Sequence, residues 1–283
     1  MLQRERTTKL IIHADDLGMS HSVNCAVFET FAKGAISSAS AIITAPWIHE
    51  VGTYAANCSA LDIGVHLTVT SEWQNYRWRP AVFQSNSQLA DVGGWFYRQA
   101  PSSLHEVGNQ RSLEVELLAQ IRLAECAGIS PTHVDSHMYA LFRNKNCFET
   151  YVRVAKQCRL PFLIHPHLVN PDWRRSLSEA AGALDGVLEI NGNVMPAKWL
   201  EWYIETIRTL RPGVWQLTVH PGYDDDELRI ITDNRYLWGS AWRQRDLNVL
   251  LSSQFRECLA ENDIQLIAWK ELALRHNVDY SNT

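Results

Sequence analysis

The sequence has no apolar run approaching the ~20 residues that a membrane helix needs. Its opening, MLQRERTTKL, is polar and leads straight into the first apolar segment, so no signal-peptide core is expected there. No block of Lys or Arg occurs and the net charge is -5, which argues against a nucleic-acid groove. None of the six cysteines forms a C-x-x-C pair, which removes the usual ribbon-type zinc and dithiol motifs. Scattered thiols in apolar helical surroundings fit a reduced, cytoplasmic protein. Internal repeats, low-complexity tracts and linkers are also missing, so residues 1–283 are expected to form one domain.

What is present is a chain of 283 residues with 46% hydrophobic content, enough for one large core. Short apolar runs alternate with amphipathic ones. Strands are expected at Lys9–Ala14, Ser38–Ile43, Leu61–Leu67, Thr132–Ser136, Phe162–Ile164, Val187–Ile190, Val214–Val219 and Gln265–Ala268. Helices are expected at Ser22–Lys33, Ser112–Ala127, Cys147–Gln157, Ala197–Leu210 and Trp242–Ala260. Repeated strand–helix units imply parallel strands with right-handed crossovers. About eight units in this length favour an α/β fold with a closed or nearly closed (β/α) barrel. The alternative is an open doubly wound sheet. Two stretches break the repeat: Thr68–Glu106, polar and aromatic, and Pro221–Gly239, acidic and aromatic. Loops of that length usually serve a function and here are placed to wall a cleft. The eleven tryptophans serve either a large core or a groove that stacks on sugar rings.

The first strand ends in HADDLG, His13 to Gly18, with Ser20 or Ser22 as the cap of the next helix. Active-site groups collect at the C-terminal ends of parallel strands. Asp15 and Asp16 there repel one another, and a cation would remove the conflict. GVHLTVTSE places His66 at the end of strand three. THVDSHM puts His133, Asp135 and His137 on one face of an extended segment. VHPGYDDDELR places His220 directly after the strand VWQLTV. Taken singly, a strand-end histidine is more often a hydrogen-bonded structural residue than a ligand. Four strand ends carrying Asp or His on one rim point to a metal site. Asp224, Asp225 and Asp226 read instead as a solvated turn and helix start.

In this order, HADDLG, GVHL, THVDSH and HPGYDDDELR resemble the YdjC-like (ChbG-type) carbohydrate deacetylases, relatives of the polysaccharide deacetylases. The resemblance runs from near residue 9 to near residue 270. It implies a single-domain deformed barrel that removes N-acetyl groups from amino sugars with one divalent ion. It also implies Asp16, His66 and His137 as metal ligands, Asp15 as general base and His220 as general acid. His133 competes with His66 for the ligand role, because the wider deacetylase group uses an H-x-x-x-H pair. His66 is preferred, with His133 and Asp135 as outer partners or substrate contacts. Tyr223, Arg245 and Trp95 are weaker candidates for sugar contact. Where many members continue with further histidines, this chain reads MYALF after His137, which bears on the substrate pocket.

Zinc is favoured by two imidazoles and one carboxylate; Mg, Mn, Co and Ni also fit such a set to different degrees. The expected partner is a small acetylated saccharide, with a homodimer compatible with the Trp-rich helices. Two other readings stand beside the deacetylase: a metal-dependent phosphoesterase, which would want basic residues near the site, and a non-catalytic sugar-binding protein, which would not need both Asp15 and His220.

Overall fold

The computed structural model describes residues 7–58, 61–82, 88–101, 110–174 and 184–275. Parts of the long 68–106 loop and the first residues of the polar N-terminus lie outside them. Among the described residues the strands are β1 (Thr8–Leu17), β2 (Ser38–Ala41), β3 (Ile63–Leu67), β4 (Val134–Ser136), β5 (Gly186–Glu189), β6 (Gly213–Val219) and β7 (Gln265–Leu266). The helices are α1 (His21–Ala32), α2 (Ile48–Ala56), α3 (Gln110–Cys126), α4 (Lys145–Gln157), α5 (Pro171–Arg174), α6 (Trp199–Arg208), α7 (Asp226–Ile231), α8 (Ser240–Leu251), α9 (Ser253–Glu261) and α10 (Trp269–Arg275). None is long and apolar enough to cross a membrane.

Every strand pairing is parallel, in the order β4-β3-β2-β1-β6-β5, with β7 against the start of β1. A parallel bridge from Val134 to Phe162 extends the β4 edge where the sequence indicates a fifth strand. The sheet is a curled, deformed α/β barrel. Its deformation lies in the last unit: β6 pairs along one edge of β1 from Thr8 to Ala14, while β7 meets only Lys9 and Leu10 on the other edge, ahead of β2. β1 is central and nine of its ten residues are buried, which explains why its apolar half shows no alternation.

Local chemistry accounts for most boundaries. The Ser20 hydroxyl caps α1 by accepting from the Val23 amide at 3.1 Å, which decides between the two serines. Asn144 caps α4, which begins at Lys145, two residues before the expected start. The segment expected as one helix, Trp242–Ala260, is two. Ser252 has an extended backbone, ends α8, and accepts from the Phe255 amide to start α9. The helical segment expected at Ala197–Leu210 opens with a tight turn over Pro196–Lys198 before α6.

Candidate functional site

The barrel interior is polar and layered. Inward positions of β4 and its flanks advance by roughly 6–7 Å per pair of residues. His133, Asp135 and His137 therefore share one face, as the alternation requires, but at three depths. His133 is lowest. Its ring stacks on Trp269 at 5.1 Å and meets His13 edge-on at 5.1 Å. Gly64 is required beside it, since a Cβ there would come within 2.5 Å of the ring. Burial pulls the His133 pKa down to about 4 and keeps it neutral. His133, expected as an outer partner or substrate contact, is not among the residues that line the cleft.

Asp135 occupies the middle layer. Its Oδ1 lies 2.7 Å from His66 Nδ1. Its Oδ2 accepts from the Ser40 hydroxyl at 2.8 Å and lies 3.0 Å from His13 Nε2. Burial opposes the charge on Asp135, yet His66 and His13 hold its carboxyl far below the usual carboxylate range.

The top layer opens on a cleft of about 280 Å³, lined by Asp15, Asp16, His66, Glu72, His137, Glu189 and His220 among others. Adjacent residues of a strand normally face opposite ways, yet Asp15 and Asp16 both reach this cleft. The cause is an irregularity in β1: Ala14 pairs with Ala39 and Leu17 with Ala41, so the interval on β1 is one residue longer than on β2. Asp16 sits inside it with φ 68°, a left-handed conformation that aspartate tolerates better than most residues.

Asp16 Oδ1 lies 3.2 Å from His137 Nδ1 and 3.7 Å from His66 Nε2. All three side chains are buried, and Asp16 Oδ1 has no hydrogen-bond partner. Each member is braced from outside. Asp135 holds His66, Glu72 Oε2 lies 2.9 Å from His137 Nε2, and Arg243 Nη2 donates to Asp16 Oδ2 at 2.6 Å. Burial raises the Asp16 pKa, but Arg243, His137 and His220 together outweigh it and keep the carboxyl well below its usual range. His137 is raised to about 10, with burial opposed by Glu72 and Asp16. An orphaned carboxylate oxygen with two imidazole nitrogens is a donor set that fits a divalent cation. Two other groups lie close enough to be considered: His13, His133 and Asp135, and Asp15, His66 and Asp135. Both use Asp135, which does not line the cleft and whose oxygens already engage His66, Ser40 and His13.

Asp15 and His220 flank this set. Asp15 Oδ2 is 3.8 Å from His220 Nε2 and 3.7 Å from His66 Nε2, and Asp15 Oδ1 is 3.3 Å from His13 Nε2. His220 is placed by its backbone: its amide donates to Asp246 Oδ2 at 3.0 Å. Asp246 Oδ1 accepts from Trp199 and Tyr203. Glu189 Oε1 lies 4.0 Å from His220 Nδ1, and the Tyr139 hydroxyl donates to its Oε2 at 3.2 Å. Burial raises the Glu189 pKa despite the pull of His220.

Three expected sugar contacts stand elsewhere. Trp95 lies under the Arg79 guanidinium, with its amide bonded to Asp91. Tyr223 donates to Glu29 of α1. Arg245 stacks over Trp199 and Tyr236. None of them lines the cleft. The Asp224–Asp226 segment is the turn and helix start that its charge run indicates: Asp225 caps α7, and Asp224 pairs with Arg229. The motif segments carry few cations, yet the fold brings Arg143, Arg235 and Arg243 to the cleft.

Glu189, Glu72, Arg243 and Asp246 are the residues that motif reasoning did not single out. Glu189 ends β5, so the strand-end rule that found His66 and His220 also covers it. Glu72 lies within the quoted GVHLTVTSE. Arg243 and Asp246 sit in the middle of α8, where no local pattern separates them from ordinary helix residues.

The sequence profile described as YdjC-like protein matches residues 9–261. A carbohydrate deacetylase of Thermus thermophilus is 30% identical over 260 residues, covering 89% of each chain. A chitooligosaccharide deacetylase of Proteus mirabilis is 24% identical over 273 residues, covering 93% of this chain and 98% of its own. A solved structure from Enterococcus faecalis, of a protein provisionally named for cellobiose-phosphate cleavage, superposes with a TM-score of 0.77. It is 25% identical and covers 94% of this chain and 99% of that one.

Proposed function

The chain belongs to the YdjC-like protein family, and from that membership and the cleft we propose a metal-dependent hydrolase that removes N-acetyl groups from an amino sugar or short chitooligosaccharide. The observation that carries this reading is the convergence of Asp16 Oδ1, His66 Nε2 and His137 Nδ1 beside Asp15 and His220 in one cleft. The names of the Thermus and Proteus relatives support the substrate class.

Asp16, His66 and His137 would hold the ion, with zinc favoured by the donor set. A bound divalent cation supplies Lewis acidity, which acidifies water and polarises an acetyl carbonyl. Asp15 takes the proton of the attacking water as its oxygen adds to the carbonyl carbon. His220 Nε2 delivers a proton to the sugar nitrogen as the C–N bond breaks, so the products are acetate and the free amine. Asp246 holds the His220 backbone, and Glu189 faces the other ring nitrogen. Asp135 and Glu72 orient the two ligand imidazoles. The six scattered cysteines, none in a C-x-x-C pair, fit a cytoplasmic setting.

The test is acetate release by metal-loaded protein over a panel of acetylated sugars, with Asp15→Asn as control. Release by the wild type and its loss in the variant is expected. No release from any member, or release unaffected by the substitution, contradicts the reading. Phosphate release from phosphorylated sugars in the same panel would replace it with the phosphoesterase.

A further inference from the structure

Left-handed backbone is uncommon outside glycine, and where it persists the surroundings impose it. Among the described residues, eight non-glycine positions have positive φ, and four of them line the one cleft: Asp16, Met138, Tyr139 and Trp238. Asp16 has its explanation in the β1 irregularity. Trp238 has none in the chemistry so far. It lies in the segment between α7 and α8, has φ 55°, is 40% exposed and lines the cleft.

That segment is held at several points. A Cβ on Gly239 would stand 1.8 Å from the Arg235 carbonyl oxygen, so the turn closes only with glycine there. The Tyr236 hydroxyl donates to the Val194 carbonyl at 3.1 Å. Arg243 Nε donates to the Trp238 carbonyl at 2.9 Å, while its Nη2 donates to Asp16. One guanidinium thus ties the Trp238 backbone to the acid proposed to hold the ion. The Trp238 ring leans on the fully buried Trp242 at 5.8 Å and 37°, which fixes its tilt. Beside it Leu237 also lines the cleft, and Arg235 lies over the ring of Trp73, another lining residue.

An indole kept half exposed, on a strained and braced backbone, is poorly explained by core packing. It gives a flat apolar face next to carboxylates, imidazoles and guanidinium groups. A pyranose ring has the matching character: an apolar C–H face with hydroxyls around its edge. We propose that Trp238 is the platform of a saccharide subsite that stacks a second sugar ring, so that the protein prefers an acetylated di- or oligosaccharide over a monosaccharide. This rests on the deacetylase reading for the reaction but not for the binding.

The experiment measures binding and turnover of N-acetylglucosamine and its β-1,4-linked dimer by wild type, W238A and W238F. Calorimetric affinities are taken in the Asp15→Asn background, where turnover is suppressed, and KM and kcat in the wild-type background. W238A is expected to lower the preference for dimer over monomer roughly 3- to 10-fold, through affinity and KM, with W238F restoring most of it. If the wild type releases no acetate but the affinity ratio still falls, the reaction is wrong and the subsite stands. An unchanged ratio overturns the subsite. So does a loss of self-association in W238A with unchanged saccharide affinity, which would make the exposed ring a contact between copies. Should W238A not fold, W238L, which keeps apolar bulk without a ring face, reads the same ratio.

Discussion

Asp135 Oδ1 sits 2.7 Å from His66 Nδ1, and this contact determines which nitrogen of His66 faces the cleft. An imidazole that gives its Nδ1 proton to a buried carboxylate keeps a lone pair on Nε2. That Nε2 lies 3.7 Å from Asp16 Oδ1. The middle polar layer of the barrel therefore sets the chemistry of the top one.

Asp135→Asn keeps the shape but loses the charge that orders His66. Titration calorimetry with zinc is expected to give affinity about 10- to 100-fold weaker than wild type. Equal affinity would mean that His66 is oriented by Ser40 and packing alone.

Asp15 and Asp16 are neighbours with different tasks in this account. Asp15→Asn is expected to lower kcat about 10²- to 10⁴-fold with metal content retained, as is His220→Gln. Asp16→Asn is expected to lose both metal and turnover. Rate assays paired with metal analysis separate the cases; loss of metal from Asp15→Asn would move that residue into the ligand set.

Arg243 neutralises Asp16 from within a fully buried site. Arg243→Met leaves that carboxylate without its cation, and breaking such a pair typically costs about 3–5 kcal/mol. A bound divalent ion restores positive charge beside Asp16. The variant is thus expected to melt well below wild type in chelator and to recover much of the gap with zinc. A gap of the same size in both conditions would contradict the proposed coupling.

His13 bears on pH. Burial lowers its pKa, but hydrogen bonds and attraction from Asp135 and Asp15 raise it to about 9. A histidine raised on folding adds stability that is complete below its unfolded value of ~6.5 and vanishes as pH climbs through the folded value. Denaturant titrations of wild type and His13→Asn near pH 6, 8 and 10 should show the wild-type advantage shrinking by on the order of 3 kcal/mol over that range. A difference that does not vary with pH would mean that His13 is neutral.

Much of this site was legible because parallel strands bring their C-terminal ends to one rim, so polar residues closing apolar runs reveal themselves. HADD, GVHL and VHPG were readable on that ground, and the strand series was readable because β-rich runs alternate with capped helices. Depth was not readable. His133 and His137 alternate identically in sequence, and only the stacking of His133 on Trp269 beside Gly64 shows that it lies below the cleft. Partners from distant helices were hidden for a related reason. Arg243 meets Asp16 across 227 positions, and nothing in the pattern of α8 marks it. The break at Ser252 was also invisible to periodicity, because the apolar stripe continues through a cap that ends one helix and begins the next.

The most direct test of the account is metal stoichiometry after zinc loading and removal of excess, measured for wild type, Asp16→Asn, His66→Gln, His137→Gln and His133→Gln. The expected result is one equivalent in wild type and His133→Gln and essentially none in the other three. Retention of zinc by His66→Gln together with its loss from His133→Gln would contradict the site described above.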